Sequence, residues 1–594
     1  MFDPRYQLRW LLVITGILGF RIGFHFAEWQ VAVETAQVVA GLVHYPAGNP
    51  FYIYHEKLWT VLHQIGALAL LAGLSEITLS RIISGLMDMM MFQGWVLLVY
   101  ALSRDGLVAL GAAVVIFFSR AVEFGVMYPI FVEGTGDTYG AIGLWTIVLV
   151  IGLLGSGCYR SGAFLLGVAP AVHPSLGVWL GVAVAISILC DFRKLRVELR
   201  PALTYFLAGC AVTVLSLMVQ LAMARDVPSI DAATASRYFA PLFGFWDGHR
   251  RPASLNSSGG RINLGAFTLA LLWLTVFWRD VPRSSLLLLR IVAVAAAMSV
   301  VFALLSWLPP SAVPATFLIL MPTRFLNANA VMFAALLFGL IGVYRRRTWS
   351  APLLVTLAAG LLGGSLSMLW TVAAQRGVSV SRYSIDTVSM LALGSIGLVA
   401  CAGWKRFREV WTGGASMLSE RAWTRVARIA LPALAVACLT GFELSSHRSA
   451  AKPDTIFIDR TNDPLFAKIA EGQGLLVTGG TLHLIQLRTR RPVLIDGGAL
   501  DGLAYSIEGA PAMDRILRDV YGVDLFNPPG EARGSGSMAV QHNQAVWAQY
   551  SRERWRQLRR TYGVTEVLTY REWRLTLDPI AQNDRLVLYG IPDS

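Results

Sequence analysis

Long apolar runs, separated by short polar loops, fill the first three quarters of the chain. A helix needs about 20 residues of this kind to cross a bilayer. The runs of suitable length lie at 10–27, 82–101, 107–126, 140–157, 201–223, 262–278, 284–307, 325–344, 351–373, 386–404 and 428–444. The pattern therefore predicts a multi-span α-helical membrane protein, with the first run retained as an uncleaved helix.

Two further apolar segments do not fit a single straight span. The segment 161–190 is too long for one helix and contains Pro170 and Pro174. We expect two short helices there, meeting at Ala171–His173 inside the protein. The segment 58–74 is apolar but includes polar side chains. It is either another span or a helix along the membrane surface, and hydropathy leaves both interpretations open.

A count of about 13 crossings agrees with the distribution of basic residues. It treats 161–190 as a hairpin and 58–74 as interfacial. With a cytoplasmic N-terminus, four basic clusters then face the cytoplasm, as the positive-inside rule requires. They are Arg193, Lys194, Arg196 and Arg200; Arg279, Arg283 and Arg290; Arg345, Arg346 and Arg347; and Lys405, Arg406, Arg408, Arg421, Arg425 and Arg428. Three outer loops, 28–80, 127–139 and 224–261, follow from this topology.

The pattern changes near Ser445, where the apolar runs shorten to strand length. The short runs are 475–479, 482–487, 492–497 and 586–590, and amphipathic helical patterns occupy 513–522 and 549–563. Such alternation is typical of an α/β domain. We therefore divide the chain into a transmembrane domain, 1–444, and a small extracytoplasmic α/β domain, 445–594, with a flexible loop at 530–538.

Composition supports the membrane class and limits the partners. Hydrophobic residues make up 55% of the 594 residues and charged residues 15%, whereas soluble domains carry roughly 25% charged residues. The net charge of +13 lies almost entirely in the hydrophobic part, because the chain from Ser445 onward has 18 basic and 17 acidic residues. Retained cytoplasmic Lys and Arg explain it, so it does not indicate a nucleic-acid partner. The five cysteines form no CxxC pair and predict neither a disulfide framework nor a thiolate metal site.

The segment 21–63 is the most polar stretch beside a predicted span. It contains four of the nine histidines, a cluster of aromatic residues and the acidic residues Glu28, Glu34 and Glu56. Glu28 lies where the first helix leaves the membrane, so a partly desolvated carboxylate there could act as a base. The alternative is an interfacial glutamate that ends a helix and faces water.

Two more outer positions carry groups suited to chemistry. Glu133 and Asp137, four apart in a Gly-rich loop, could bind a divalent cation or a sugar hydroxyl, or could form a solvated turn. His173 lies at the predicted helix break, where polar groups commonly line a cavity. It could equally bond to a backbone carbonyl.

Basic residues in later outer loops could bind a phosphate. Asp247, His249, Arg250 and Arg251 lie close together in sequence, and the arginine pair could grip a phosphate bidentately. Arg324 begins a span at its predicted outer end. The alternative is that these arginines have no phosphate to bind. Arg250 and Arg251 would then be solvated or contact lipid headgroups, and Arg324 would snorkel to the membrane surface.

Together these features resemble the GT-C superfamily of integral membrane glycosyltransferases. The resemblance lies in the many spans, the acidic outer loops, the C-terminal α/β domain and the sequence EWQVAVETAQVVAGLVHYP at 28–46. It implies that an acidic residue just past the first helix is the catalytic base for sugar transfer from a polyprenyl phosphate. Glu28 matches that position best. The family more often has Asp there, so Glu34 stays an alternative.

The resemblance also implies roles for the later loops. Glu133 or Asp137 would be a second acidic residue, and Arg250, Arg251 or Arg324 would contact the donor phosphate. The segment LHLIQLRTRRPVLIDGG at 482–498, which we interpret as a strand pair, is similar to the soluble tail of bacterial membrane proteins grouped near this superfamily.

The sequence therefore predicts a transferase of the bacterial cell envelope, in the inner membrane. Its partners would be a lipid-linked sugar donor, the lipid bilayer and a glycan, lipid or protein acceptor. No cofactor is certain, and a divalent cation is one option. Two other interpretations stay open. A transporter or flippase would use the helix break at His173. A non-catalytic polysaccharide assembly or export factor would keep the scaffold without bringing the acidic residues together.

Overall fold

A computed structural model describes most of the chain as helix, with a small sheet near the C-terminus. The structure describes residues 4–57, 60–118, 139–224, 227–247, 252–253, 282–309, 312–344, 457–532 and 540–593. Within these ranges, four helices are long and apolar enough to cross a membrane. They are Gln7–His25, Glu76–Ser103, Leu195–Met223 and Leu286–Leu305.

The helical part is a bundle around one long buried helix. In chain order its helices are α1 (Pro4–His25), α2 (Val31–Val39), α3 (Pro50–Lys57), α4 (Val61–Leu71), α5 (Glu76–Ser103), α6 (Gly106–Phe118), α7 (Tyr139–Gly155), α8 (Tyr159–Val172), α9 (Pro174–Leu189), α10 (Phe192–Leu199), α11 (Leu203–Met223), α12 (Ala232–Pro241), α13 (Leu286–Leu305), α14 (Ala315–Ile319) and α15 (Phe325–Tyr344). Helix α5 packs against α1, α7 and α15 and is the most enclosed of the four candidate spans.

The helix break in 161–190 is confirmed. Helix α8 ends at Val172 and α9 begins at Pro174, with His173 in an extended conformation between them. Proline is favourable at the first position of a helix, since its missing N–H would be unpaired there. The His173 ring then accepts a hydrogen bond from the Leu176 amide (3.4 Å) and caps α9.

Of the segment 58–74, the described residues 60–74 contain one helix, the 11-residue α4. At 1.5 Å per residue it is roughly 16 Å long, whereas the hydrocarbon core of a bilayer is about 30 Å thick. It therefore cannot be a full span. Its buried face packs on α2, while Ile65, Leu68 and Leu71 are exposed, as suits a helix that lies along a membrane surface.

Helix ends gather at two levels. We call the level that contains Tyr139 and Val172 the docking end, and the level that contains Arg104 and Gly155 the far end. At the docking end, the Tyr139 hydroxyl donates to the Val172 carbonyl (2.5 Å). At the far end, the Arg104 guanidinium donates to the carbonyls of Gly155, Ser156 and Ser284 (3.0–3.3 Å). Helix α7 therefore runs from the docking end to the far end, and α8 returns to the docking end.

The C-terminal domain contains a four-stranded sheet of order β1-β2-β4-β3. Strand β1 pairs parallel with β2, and β4 pairs antiparallel with β2 and β3. The strands are β1 (Leu475–Thr478), β2 (Val564–Tyr570), β3 (Asp578–Gln582) and β4 (Leu586–Gly590), and the helices are α16 (Pro464–Glu471), α17 (Ile485–Thr489), α18 (Ala499–Gly502), α19 (Ala510–Tyr521), α20 (Val540–Ala548) and α21 (Arg552–Tyr562). The predicted strands at 475–479 and 586–590 and the helices at 513–522 and 549–563 are confirmed.

The predicted strand at 482–487 is wrong, so 482–498 is not a strand pair. Leu484 has a left-handed backbone, and α17 follows it. The segment at 492–497 pairs with β1 only through a parallel bridge between Val493 and Leu476. Strands β2 and β3 were not among the predicted elements. Of the loop predicted at 530–538, 533–538 lies outside the described residues.

The C-terminal domain packs directly on the segment between α1 and α5. Trp29 contacts Phe457 edge to face, with ring centroids 5.1 Å apart. The Asn49 amide donates to the Leu494 carbonyl (3.0 Å), and Lys57 pairs with Glu508. We call this contact the junction. Gly502 lies so close to Tyr54 that a Cβ there would be 2.3 Å from the tyrosine ring.

Candidate functional site

Glu34 lies at the centre of the junction, on α2. Every residue of this helix from Ala32 to Val38 is buried, including the Glu34 carboxylate in its first turn. Glu34 is 1% exposed. Its Oε1 atom has no hydrogen-bond partner among the described residues, so a carboxyl oxygen is enclosed without a donor.

The surroundings favour the protonated form of Glu34. Burial raises the pKa of Glu34 from 4.5 to about 8, and the charge of Asp496 adds to the rise. His483 and a hydrogen bond from the Leu487 backbone oppose it. Removing a carboxylate from water is costly, so a buried acid keeps its proton to higher pH. Once ionised, a carboxylate with a raised pKa is a stronger base than an ordinary carboxylate.

His483 and Asp496 belong to the C-terminal domain and form a hydrogen-bonded pair. The His483 Nδ1 atom is 2.5 Å from the Asp496 Oδ1 atom. Asp496 also accepts hydrogen bonds from the amides of Leu484 (3.0 Å) and Gly498 (2.8 Å). Three donors therefore fix this buried carboxylate and, through it, the imidazole ring.

Amide side chains hold α17 against α2. Gln486 donates to the Glu34 carbonyl (3.0 Å), and Gln37 donates to the Leu487 carbonyl (2.9 Å). The Tyr45 hydroxyl donates to the Gln486 side chain (2.5 Å). These bonds join residues as far as 452 positions apart, so the first loop and the C-terminal domain build one site.

Three charged side chains, Glu76, Arg460 and Arg490, form ion pairs at the edge of this site, which we call the rim. Glu76, at the start of α5, accepts from Arg490 (2.5 Å) and pairs with Arg460 (3.2 Å). The carboxylate also accepts from Gln37 (3.1 Å). Both arginines belong to the C-terminal domain, so the rim is another contact between the two domains.

His55, on α3, is a neutral neighbour of the site. Its Nδ1 atom is 2.8 Å from the Thr35 hydroxyl, and its Nε2 atom has no hydrogen-bond partner among the described residues. Burial lowers the pKa of His55 to about 3, and the charge of His63 adds to the effect. The imidazole is therefore uncharged at neutral pH.

A second polar cluster joins two of the predicted site residues. The His63 and His173 rings both stack on Tyr139, with centroids 5.0 and 5.8 Å from the tyrosine ring. Arg324 acts electrostatically on His173. The sequence indicated His173 and Arg324 separately, and the structure brings them together at the docking end.

The other predicted residues lie elsewhere or outside the described ranges. Glu28 is partly buried in the non-helical segment between α1 and α2. Asp247 is buried after a π-helical turn whose Trp246 donates to the Leu525 carbonyl (2.8 Å). Glu133, Asp137, His249, Arg250 and Arg251 lie outside the described residues. In the part of the chain that the structure describes, no group of three His, Cys, Asp or Glu side chains could hold a metal ion.

A cavity of about 320 Å³ lies at the far end, away from the junction. Arg104, Asp191 and Arg290 are among its lining residues. Arg290 pairs with Asp191 (2.8 Å), and Arg104 is bonded to helix-terminal carbonyls. Because these charged side chains already have partners, the cavity is a weaker candidate for a catalytic site than the surroundings of Glu34.

Sequence reasoning missed His483, Asp496, Gln486 and Glu76. One signal was available: Asp496 and two glycines directly follow the apolar run VLI, and ligand sites in α/β domains commonly lie beyond the carboxyl ends of parallel strands. Comparison with models of protein families, with curated proteins and with solved structures finds no match for this chain.

Proposed function

We propose that the protein is a membrane glycosyltransferase that moves a sugar from a lipid-phosphate carrier to an extracytoplasmic acceptor, with Glu34 as the base. The observation that supports this most is the enclosed Glu34 carboxyl, which has one oxygen without a partner among the described residues and lies where two domains meet. Of the two glutamates that the resemblance indicates, Glu34 has the surroundings of a tuned base. Glu28 is the weaker candidate.

The chemistry needs only one proton acceptor at the acceptor hydroxyl. The ionised carboxylate takes the hydroxyl proton while the acceptor oxygen bonds to the sugar carbon. The bond between that carbon and the phosphate oxygen breaks, and the lipid phosphate leaves with the electron pair. The resemblance assigns the donor phosphate to Arg324 among the described residues, and His173 lies within electrostatic reach of Arg324. The proposed cation ligands Glu133 and Asp137 lie outside the described residues, so no step is assigned to a metal ion.

Glu34 is 1% exposed and α17 is hydrogen-bonded to α2, so we propose that a substrate reaches Glu34 when the segment Leu484–Arg490 moves. Both end residues have left-handed backbones, with φ of 58° and 59°. This conformation costs about 1–3 kcal/mol for a residue other than glycine. Contacts with the first loop therefore hold the segment closed, and a substrate that replaces those contacts would open it.

The proposal includes a topology of about 13 crossings, with the N-terminus in the cytoplasm and the C-terminal domain outside. The alternation of α7 and α8 between the docking end and the far end supports it. In a background without the native cysteines, D584C should react with a membrane-impermeant maleimide in intact spheroplasts. Labelling only after lysis would mean that the C-terminal domain faces the cytoplasm.

Substitution of the two glutamates tests the function. Membranes containing the chain are incubated with polyprenyl phosphates that carry labelled hexoses, and the label leaving the carrier fraction is measured. We expect E34Q to reduce transfer by about 10²–10⁴-fold, the usual contribution of a base, while E28Q stays within about threefold of the wild type. Full transfer activity of E34Q would show that Glu34 is not the catalytic base.

The cluster around His173 supports a second candidate, a transporter of a lipid-linked substrate. Buried histidines, Tyr139 and Arg324 surround a helix break, and such breaks line substrate sites in transporters. In that case no label leaves the carrier in the wild type. Translocation of the labelled lipid across vesicles would instead depend on His173 and not on Glu34.

A further inference from the structure

The cavity at the far end is lined by charged side chains of both signs. Its volume of about 320 Å³ is at the lower end of the range of roughly 300–1,000 Å³ found for small-molecule sites. Arg104 follows α5, Glu198 belongs to α10 and Arg290 belongs to α13, and Tyr159 and Asp191 complete the polar lining. A single ligand in the cavity can therefore contact several helices at once.

Arg104 has hydrogen-bond partners but no counter-charge among the described residues. Its guanidinium donates to the carbonyls of Gly155, Ser156 and Ser284, which are neutral, and it makes no ion pair in the described ranges. A guanidinium has five N–H donors, so these three bonds leave two of them. Buried or half-buried charges in proteins are normally paired. An unbalanced guanidinium at a cavity therefore favours an anionic group in the ligand.

The backbone of Arg104 also indicates that its side chain has a role. Arg104 ends α5 in the left-handed conformation, with φ of 50°. Glycine is the usual residue at this position of a helix end, and strained residues of other types are common at ligand sites. The retained arginine is therefore best explained by what its guanidinium contacts.

Glu198 is the opposite case, a carboxylate without a cation. Its Oε2 atom accepts one long hydrogen bond from the Tyr159 hydroxyl (3.5 Å), and it makes no ion pair in the described part of the chain. Arg290 and Asp191, by contrast, pair directly (2.8 Å). The described lining therefore has two arginines and two carboxylates, of which one arginine and one carboxylate are unmatched. A ligand with both a negative and a positive group complements this lining better than an ion of one sign.

The cavity lies where the surface of the bundle changes from apolar to polar. Helix α10 contributes Leu195 and Glu198 to the lining, and its outer surface presents exposed Phe192 and Val197 beside exposed Arg196. The candidate span that contains α11 follows at once, and most of its apolar side chains are exposed. Mixed apolar and charged surfaces on short helices are typical of the headgroup level of a bilayer. The cavity is therefore at the height of lipid headgroups.

We infer that this cavity binds the headgroup of a zwitterionic phospholipid with a primary ammonium group, of the phosphatidylethanolamine type. The phosphate accepts hydrogen bonds from Arg104 and Arg290, and the ammonium donates to Glu198. Leu286 and Leu287, which also line the cavity, contact the apolar part of the lipid. The bound lipid connects α10 with the ends of α5 and α13, so it stabilises the bundle. The inference depends neither on sugar transfer nor on which side of the membrane the far end faces.

The melting temperature of the delipidated full chain in detergent measures this binding, because a ligand of the folded state raises it with concentration. The ligands compared are phosphatidylethanolamine, phosphatidylglycerol and soluble phosphoethanolamine. We expect phosphatidylethanolamine to act at about tenfold lower concentration than phosphatidylglycerol, which lacks the ammonium group. An equal response to both lipids would overturn the inference. An equal response to soluble phosphoethanolamine would also overturn it, because the site would then take a free zwitterion and not a lipid.

The variant E198Q removes the proposed partner of the ammonium and keeps the carbonyl contacts of Arg104. It should weaken the binding of phosphatidylethanolamine by about tenfold or more. Phosphatidylglycerol should bind E198Q as well as the wild type or better, because the lining then has a net positive charge. R104Q should weaken the binding of both lipids, since both contain the phosphate. Its melting temperature without lipid reports the loss of the carbonyl contacts, and E198Q decides the inference if R104Q does not fold.

The matched control is R196Q, because Arg196 is an exposed residue of α10 that is not among the lining residues. It should leave the affinity for both lipids within about twofold of the wild type. A loss in R196Q as large as that in E198Q would show general attraction of lipid to this surface and would contradict a specific site. Unchanged binding of phosphatidylethanolamine by E198Q would contradict it as well.

Discussion

Glu34 stabilises the folded protein less as the pH rises. In the unfolded chain its carboxyl has the ordinary pKa of 4.5, while burial raises the pKa in the folded state to about 8. Between these values the unfolded chain loses the proton and the folded chain keeps it, so the free energy of unfolding falls as pH rises through this window. A residue kept at such a cost is typical of a functional position.

We therefore predict that E34Q stabilises the protein at alkaline pH. Glutamine cannot ionise, so the melting temperature of E34Q relative to the wild type should rise between about pH 5 and pH 8, by a few degrees. Thermal unfolding of the detergent-solubilised protein measures it. E471Q, a change at an exposed glutamate of the C-terminal domain, is the matched control. The same difference at both pH values would mean that Glu34 is ionised in the folded protein.

At the scale of helices, α1 and α5 approach through glycines. A Cβ added at Gly19 would lie 2.6 Å from the Asp88 carbonyl oxygen, and one at Gly23 would lie 2.3 Å from that of Ser84. Small residues allow membrane helices to pack backbone against backbone. This contact fixes the end of α1 from which the chain enters the junction, so it also positions α2.

We predict that G23A destabilises the bundle by about 1–3 kcal/mol, because the methyl group would overpack a backbone contact. The matched control is G181A in α9, where a Cβ would meet no atom within 4 Å. Alanine favours a helix over glycine by roughly 1 kcal/mol, so the control should be neutral or more stable. The melting temperatures in detergent measure both. Equal stability of the two variants would contradict the close packing.

Local signals predicted some elements and tertiary contacts decided others. Pro170 and Pro174 predicted the break at His173 because proline acts on its own neighbours. The short apolar run at 482–487 predicted a strand, yet Gln486 and Leu487 are hydrogen-bonded to α2, and those contacts hold the segment in a short helix. Strand propensity depends on its surroundings, and here the partner is a distant loop.

At the scale of the whole molecule, the candidate site exists only where two domains meet. Glu34 was identifiable as an acidic residue beside a span. Its enclosure by the C-terminal domain was not, because Gln486, which donates to the Glu34 carbonyl, is more than 400 residues away and no local pattern links the two. The long-range hydrogen bonds of Gln37 and Gln486 create the enclosure that raises the pKa of Glu34.

The pH dependence of kcat/KM for sugar transfer by the wild-type protein is the most direct test of Glu34 as the base. The carboxyl must be ionised to accept a proton, so kcat/KM should rise with pH, with a midpoint near 8. Below that pH, less than half of the protein has the reactive form. A profile that is flat from about pH 6 to 9, or that rises near the ordinary carboxyl pKa of 4.5, would contradict the assignment.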